Sequence, residues 1–411
     1  MGRVAVNSIY LTVEKGAHNL FGLLLVVGVA RLLGEEGLGD YAYVMSLTAL
    51  FVPLLDMGLN NRVIKAVASR GPGARAAASD AVALKLALAP PVLVVMGAAA
   101  WFSGKSAILA AVLLVGASTV AMSLGDALNA IFKGLQRPIY SALLVGGLNA
   151  LIFVSALGAV GAGLGLAGLG ACYFLCRSGF LGAGLGLVGR VAPNLRPAFK
   201  PAIRRDLIVH GLWYLPAPYF LGNLLNLSYM TTYFAVGEAE SGQFAIGYKL
   251  ATALFILASA NLEAILPALT CRFQDAESLR GMLLRTLGAL LGITLLGVMA
   301  VQAVAPVTVW VFGAAFTPAV SAVRLLAWTL PPLALCGLAH TALLAVDRQK
   351  SGALIMLALV IVGTASGIVA ARFWGPVGTA LAPTVTGCLF AIALWTMVWR
   401  ETGRPQERIS E

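Results

Sequence analysis

The sequence predicts an all-α integral membrane protein of about twelve transmembrane helices, arranged as two parallel halves. Three observations support this prediction. The 411-residue chain has a mean hydropathy of +0.91. It contains a series of long, unbroken apolar runs. An acidic, glycine-rich turn also occurs twice, about half a chain apart.

Composition sets the class of protein. Hydrophobic residues make up 60% of the chain and charged residues 11%, whereas soluble proteins average roughly 45–50% and 25%. A helix that crosses a bilayer core of roughly 30 Å needs about 20 apolar residues. Transmembrane β-barrels instead show alternating apolar and polar residues. The unbroken runs therefore predict helices.

Twelve runs are long enough to span a bilayer. They lie at 7–31, 40–60, 82–103, 106–130, 138–161, 164–188, 207–235, 243–269, 281–304, 323–345, 351–371 and 376–399. Segment 306–322 is interpreted as a re-entrant or interfacial piece. The predicted domains are a six-helix bundle at 1–188, a basic, proline-rich cytoplasmic linker at 189–206, a second bundle at 207–399 and a tail at 400–411.

The repeated turn indicates a duplicated chain. GEEGLGDYAY (34–43) and GEAESGQFAI (237–246) lie 203 residues apart (237 − 34), which pairs Gly34 with Gly237 and Tyr41 with Phe244. Each copy follows an odd-numbered span, so the repeat is parallel. Glycines 34, 37 and 39 permit positive φ in this turn. Transporters are often built from two such bundles, with the substrate site where they meet.

Lysine and arginine predict the orientation, because positive side chains resist translocation. If the N-terminus is cytoplasmic, twenty of the 28 fall in cytoplasmic segments, and only Arg31, Lys105, Arg324 and Arg372 face the other side. Both termini are therefore predicted to be cytoplasmic. This topology and attraction to anionic inner-leaflet lipid account for the net charge of +11. Nucleic acid is not expected as a partner.

Four segments carry a family resemblance through their order and spacing. They are ARLLGEEGLGDYAYVMSLTALFVPLLDMGLNNRVIK (30–65), FKGLQRP (132–138), VGEAESGQFAIGYKLATAL (236–254) and VFGAAFTPAVSAVRLLAWTLPPLALCGLAHTALLAVDRQKSGAL (311–354). Together they resemble the oligosaccharide flippases of the polysaccharide-transporter branch of the multidrug/oligosaccharidyl-lipid/polysaccharide superfamily. The resemblance covers nearly the whole chain. It implies two six-helix bundles around a central cavity that translocate polyprenyl-diphosphate-linked sugar repeat units to the outer leaflet.

The first span is the most polar and holds the first group of candidate site residues. Glu14 and His18 lie on one stripe of this helix, and Lys15 and Asn19 lie beside it. Intramembrane charge is costly and indicates function by default. Lys15, near the middle of the span, is predicted to contact the diphosphate together with Asn19, and Glu14 and His18 to carry a coupling cation or proton. The alternative is that Lys15 or Glu14 is paired within the bundle.

The second half offers a different set of candidates. Pro216 and Pro218 interrupt the seventh span and predict a kinked, gating helix, with a passive kink as the alternative. Asn223 and Asn226 follow them on the same helix, and Lys249 lies on the eighth span; all three are predicted to bind substrate.

Other charges near span ends are given structural roles. Arg177, Lys85 and Glu263 are predicted to extend to the interface, and Asp56 to cap a helix or pair with Arg62 or a neighbour. No enzyme is predicted: SGKS at 103–106 lacks the first glycine of a phosphate-binding loop, where Ala99 stands. The histidines lack metal-ligand spacing. No metal and no cofactor is expected.

The predicted function is lipid-linked oligosaccharide flipping by alternating access, in the cytoplasmic membrane of a prokaryote. Without a nucleotide-binding domain, energy must come from downhill export, an Na⁺ or H⁺ gradient, or the membrane potential. Membrane lipid, polysaccharide polymerase and glycosyltransferases complete the expected partners. The alternatives are a cation-coupled multidrug exporter of the same superfamily, against which Lys15 and Lys249 argue, and a non-transporting membrane scaffold.

Overall fold

The computed structural model describes residues 2–69, 73–104, 106–198, 205–214, 216–271, 276–345 and 349–402. Throughout these residues the regular structure is helical, with short 3₁₀ turns at Ser106–Ile108, Pro193–Leu195 and Ala314–Phe316. The α-helices are α1 (Gly2–Asp56), α2 (Leu59–Ala68), α3 (Ala74–Phe102), α4 (Leu109–Gly134), α5 (Pro138–Gly161), α6 (Gly165–Val191), α7 (Arg205–Tyr214), α8 (Pro216–Val236), α9 (Glu238–Cys271), α10 (Ala276–Val304), α11 (Val307–Phe312), α12 (Ala319–Ala327), α13 (Leu330–Ala345) and α14 (Gln349–Thr402).

These helices account for the twelve predicted spans. Eight of the segments searched are long and apolar enough to cross a membrane. Two of the eight, within α1 and α14, are each bent at a glycine and hold two spans. Helices α7 and α8 together cover the seventh predicted span, and α9 covers the eighth. The chain is a twelve-helix, all-α membrane protein, and the predicted piece at 306–322 is a run of short helices.

The chain divides into two compact units, Met1–Leu215 and Pro216–Glu411. The boundary falls inside the seventh predicted span rather than in the predicted linker at 189–206. Helix α6 ends at Val191, inside the predicted linker. Leu207 follows directly after the linker and packs into the core of the first unit against α2, α3 and α4. The start of the seventh span is therefore part of the first unit.

Positive-φ glycines repeat between the units. Gly34 (φ 70°) and Gly237 (φ 104°) are the two copies of the turn identified in the sequence. Each immediately precedes a helical segment that begins with a glutamate. Tyr41 and its counterpart Phe244 are both buried. The expectation of positive φ holds for Gly34, whereas positions 37 and 39 are helical.

Two further glycine pairs repeat the pattern at other turns of the two units. Gly104 and Gly313 follow the third and ninth spans, and Gly163 and Gly375 follow the fifth and eleventh. Their separations of 209 (313 − 104) and 212 (375 − 163) residues are close to that of the first pair. All of these glycines have positive φ, a conformation that costs other residues free energy. Positive-φ glycines thus recur at three corresponding turns of the two units.

The first span packs on the fifth, and the seventh span packs on the eleventh. In the first unit, Phe21 stacks on Phe153, with ring centroids 5.9 Å apart. In the second unit, a Cβ on Gly367 would meet Thr231 Oγ1 at 3.2 Å, and one on Gly363 would meet Leu224 Cδ1 at 3.6 Å. Small residues of this kind let membrane helices approach closely.

Candidate functional site

Glu14 is held by an ion pair inside the first unit. Its Oε1 accepts a bond from Lys133 Nζ at 3.0 Å, and its Oε2 accepts one from Ser141 Oγ at 2.9 Å. The Glu14 side chain is 13% exposed and that of Lys133 is 32% exposed. Lys133 lies in the last turn of α4. Of the two alternatives for Glu14, the structure shows the paired one.

This contact places Glu14 beside the turn between α4 and α5. Lys133 and Ser141 lie in the last turn of α4 and the first turn of α5, so Glu14 lies near that end of the unit. Twenty residues further, at 1.5 Å per residue or roughly 30 Å, the chain turns at Gly34. Lys15 is partly buried, and its place in the substrate path stays a prediction.

The polar stripe of α1 continues along α5. His18 Nδ1 lies 3.1 Å from Asn149 Oδ1, and Asn149 Nδ2 donates to the carbonyl of Val145 at 2.7 Å. The His18 side chain is exposed and Asn19 is partly buried. Glu14 and His18 therefore face the same helix, as the spacing predicted. Side chains earlier on the stripe lie outside the described residues.

Lys85 does not extend to the interface, contrary to the sequence prediction. It is fully buried, and its Nζ donates to Asp56 Oδ1 at 3.2 Å, Asn60 Oδ1 at 3.0 Å and the carbonyl of Ser123 at 2.8 Å. These bonds join α3 to the end of α1, to α2 and to α4. Asp56 thus pairs with Lys85, a neighbour, and also accepts a bond from the backbone nitrogen of Asn60 at 3.4 Å.

Arg177 also turns inward, where interfacial extension was predicted. Its Nη1 donates to Ser118 Oγ at 3.0 Å and lies 3.4 Å from Thr119 Oγ1. The guanidinium carbon lies 4.9 Å from the centroid of the Tyr173 ring. The sequence offered no signal for this arrangement, because the hydroxyl partners lie almost 60 residues away on another helix. Glu263, the third of these charges, has no described side chain.

The candidates of the second unit include a buried amide pair. Asn226 Nδ2 donates to Asn223 Oδ1 at 2.7 Å, and the hydroxyl of Tyr248 donates to Asn226 Oδ1. Both asparagines are buried. Tyr229, one turn further along α8, stacks against Tyr248. The structure thus brings the two predicted asparagines together and adds a tyrosine that the sequence analysis had not singled out.

Lys249 follows Tyr248 in the chain and is partly buried. Within the described part of the chain, no side chain forms an ion pair or hydrogen bond with its ammonium group. A lysine in a transmembrane helix without a counter-ion is costly unless a water-filled space or a ligand solvates it.

Pro216 and Pro218 lie just after residue 215, which is outside the described residues. The described helices on either side of it are α7, which ends at Tyr214, and α8, which starts at Pro216. The side chains of both prolines are outside the described residues. The predicted kink and the gating role of the two prolines therefore stay predictions.

Sequence and structure comparisons identify the family. A family model described as "Polysaccharide biosynthesis protein" matches residues 4–272. The chain belongs to the polysaccharide biosynthesis protein family. A comparison with curated proteins gave no match. This membership agrees with the resemblance carried by the first three sequence segments, which lie within the matched range.

Solved structures show that this family member has the fold of a membrane transporter. An inward-facing multidrug resistance MATE family transporter of the MOP superfamily aligns with a TM-score of 0.72 at 14% identity, over 97% of this chain and 100% of the other. An outward-facing transporter of the same description aligns with a TM-score of 0.68 at 13% identity, over 97% of this chain and 95% of the other. A MOP superfamily transporter from Pyrococcus furiosus is described as having a binding pocket of reversed polarity that suggests a different function. It aligns with a TM-score of 0.70 at 13% identity, over 97% of this chain and 95% of the other.

Metal coordination finds no support in the described part of the chain. No group of three or more histidine, cysteine, aspartate and glutamate side chains there is arranged to hold a metal ion.

Proposed function

We propose that this protein is a flippase that translocates polyprenyl-diphosphate-linked oligosaccharide repeat units from the inner to the outer leaflet by alternating access. We place it in the cytoplasmic membrane of a prokaryote with both termini cytoplasmic. The observation that carries the proposal is the match to a polysaccharide biosynthesis family on a chain with a transporter fold. Polysaccharide assembly outside the cell requires that a lipid-linked sugar cross the membrane.

Cations on membrane-spanning helices support an anionic substrate. Lys15 and Lys249 are partly buried, and Lys249 has no counter-ion among the described residues. A diphosphate crossing the bilayer needs cations where lipid tails exclude water. Lys15 and Lys249 are each proposed to bind the diphosphate. Asn19, Asn223 and Asn226 are proposed to hydrogen-bond the sugar hydroxyls.

Energy coupling is assigned to Glu14 and His18. Glu14 is bound by Lys133 and Ser141, and His18 by Asn149, so a change of protonation or bound cation at either residue would alter the packing of α1 on α4 and α5. Outward movement of an anion is also favoured by a negative interior, at about 2.3 kcal/mol per charge per 100 mV. Flipping is therefore expected to slow when both the ion gradient and the potential are collapsed.

The second candidate function is cation-coupled export of a multidrug type, favoured by the neighbours described as multidrug resistance transporters. Such substrates are usually cationic, and Lys249, which has no counter-ion in the described part of the chain, would repel them. The third candidate function is that of a membrane scaffold, which recruits a polymerase or glycosyltransferases and transports nothing.

Reconstitution distinguishes these functions. The purified protein is placed in proteoliposomes with a polyprenyl-diphosphate oligosaccharide, and the fraction protected from an external glycosidase is measured over time. Protein-dependent exchange supports the flippase. Export of a cationic dye under an ion gradient without lipid movement would favour the drug exporter. If the folded protein shows neither activity but binds polysaccharide-synthesis enzymes, the scaffold is favoured.

A further inference from the structure

Arg177 is a second inward-facing cation of the first unit, after Lys85. It lies near the middle of α6, twelve residues after Gly165 and fourteen before Val191. At 1.5 Å per residue these distances are roughly 18 and 21 Å. Arginine at this depth is rare in membrane helices and marks a functional position by default.

The partners of Arg177 are neutral. Its Nη1 contacts the hydroxyls of Ser118 and Thr119, which each donate their own proton to the carbonyl of Val115, at 2.7 and 2.9 Å. The two hydroxyl oxygens are thereby oriented to accept bonds from the guanidinium. The Tyr173 ring supports the other side, and its hydroxyl lies 3.4 Å from that of Tyr41 on α1.

One edge of the guanidinium is left without a partner. The Nε atom is enclosed and makes no hydrogen bond, and Nη2 forms none with the described residues. These two nitrogens form the parallel fork with which arginine binds carboxylate or phosphate oxygens. Asp126 on α4 lies within electrostatic range, but no carboxylate of the described residues forms an ion pair with the fork.

A structural role alone does not account for this arrangement. A buried charge is costly unless it is paired, and here hydroxyls and a ring hold the guanidinium in place, while Asp126 acts on it through space and forms no ion pair with it. A neutral glutamine or methionine would fill the same space at lower cost. The positive charge is therefore available to a ligand.

We propose that Arg177 binds the phosphate oxygens of an anionic lipid, namely the diphosphate of the substrate, through its Nε and Nη2 atoms. The naming of the substrate rests on the function proposed above, whereas the affinity for phosphate oxygens does not. The anion contacts Nη2 first and reaches the enclosed Nε after a small displacement of the neighbouring side chains.

The test measures the affinity of the purified full-length protein in neutral detergent for geranyl diphosphate, a short prenyl diphosphate. We expect Arg177→Gln to weaken binding about 10- to 100-fold, because it removes charge-assisted hydrogen bonds. The affinity of Arg177→Lys should lie between those of Arg177→Gln and wild type, since lysine keeps the charge but lacks the two parallel N–H donors of arginine. Arg190→Gln is the matched control: it removes an exposed arginine from the same helix and should leave binding unchanged.

Other outcomes would overturn the proposal. Equal binding by wild type and Arg177→Gln, both monodisperse with similar Tm, would remove Arg177 from the site; if the glutamine variant does not fold, the comparison is made with Arg177→Lys. A second arm titrates phosphatidylglycerol in neutral nanodiscs. If that lipid binds in an Arg177-dependent way and geranyl diphosphate does not, the site belongs to ordinary phospholipid and the assignment to substrate is wrong.

Translocation separates this inference from the proposed function. If wild type flips no oligosaccharide lipid but binds geranyl diphosphate through Arg177, the function fails and the anion site stands. If wild type and Arg177→Gln flip equally well, the function stands and the inference fails.

Discussion

Glu14 and Lys133 form an ion pair between the first and fourth membrane-spanning helices, with 3.0 Å between Oε1 and Nζ. Ser141 binds the second carboxylate oxygen, so three helices meet at one acidic side chain. Because Lys133 lies in the last turn of α4, the contact ties the beginning of the first span to the turn between α4 and α5.

A double-mutant cycle should detect this ion pair. Glu14→Gln and Lys133→Gln are each expected to lower the free energy of unfolding. The double variant should lose less than the sum of the two single losses, with a coupling free energy of about 1 kcal/mol. The coupling is modest because Lys133 is about one third exposed. Thermal unfolding in detergent is the measurement. Glu14→Gln combined with Arg190→Gln, which makes no contact with Glu14, should be additive. Additivity in the first cycle would show that the pair is not formed.

Lys85 should be among the most sensitive positions for stability. Lys85→Met leaves the Asp56 carboxylate without its cation, and breaking a buried pair typically costs about 3–5 kcal/mol; because Asp56 is 30% exposed, the lower end is expected. Lys65→Met, at an exposed lysine on α2, should change Tm little. Replacing both members, as Lys85→Met with Asp56→Leu, should recover part of the loss. A Tm for Lys85→Met equal to that of wild type would refute the structural role.

The sequence predicted the helices because burial in lipid is expressed directly in composition. It also predicted the conformation of Gly34, since a turn between two spans favours a residue without Cβ. It failed on Lys85 and Arg177. The partners of these side chains are supplied by other helices, so helix rotation and depth decide whether a charge faces the interface or a hydroxyl. Spacing along one helix carries no information on either quantity.

Lys249 should be required for transport but not for folding. We expect Lys249→Gln to lower oligosaccharide-lipid translocation about tenfold or more, because the ammonium has no protein counter-ion to satisfy in the described residues and is available to the diphosphate. The Tm should stay equal or rise, since an unpaired charge is removed. Arg280→Gln, at an exposed arginine of α10, is the control. A variant that translocates at the wild-type rate would remove Lys249 from the substrate path.

Gly34 should tolerate no side chain although there is room for one. No atom lies within 4 Å of a Cβ built there, but its φ of 70° and ψ of −164° belong to a region that is essentially restricted to glycine. Gly34→Ala is therefore expected to cost about 1–3 kcal/mol through backbone strain alone. Gly182→Ala, on the exposed side of α6 with equally open space and helical backbone, should be neutral or slightly stabilising. Thermal unfolding of the two variants compares their stabilities directly.

Because Gly237 occupies the equivalent turn of the second unit with φ 104°, Gly237→Ala should behave like Gly34→Ala. Equal stability of Gly34→Ala and Gly182→Ala would mean that the turn can adopt another conformation, and the paired glycines would then not define the repeat.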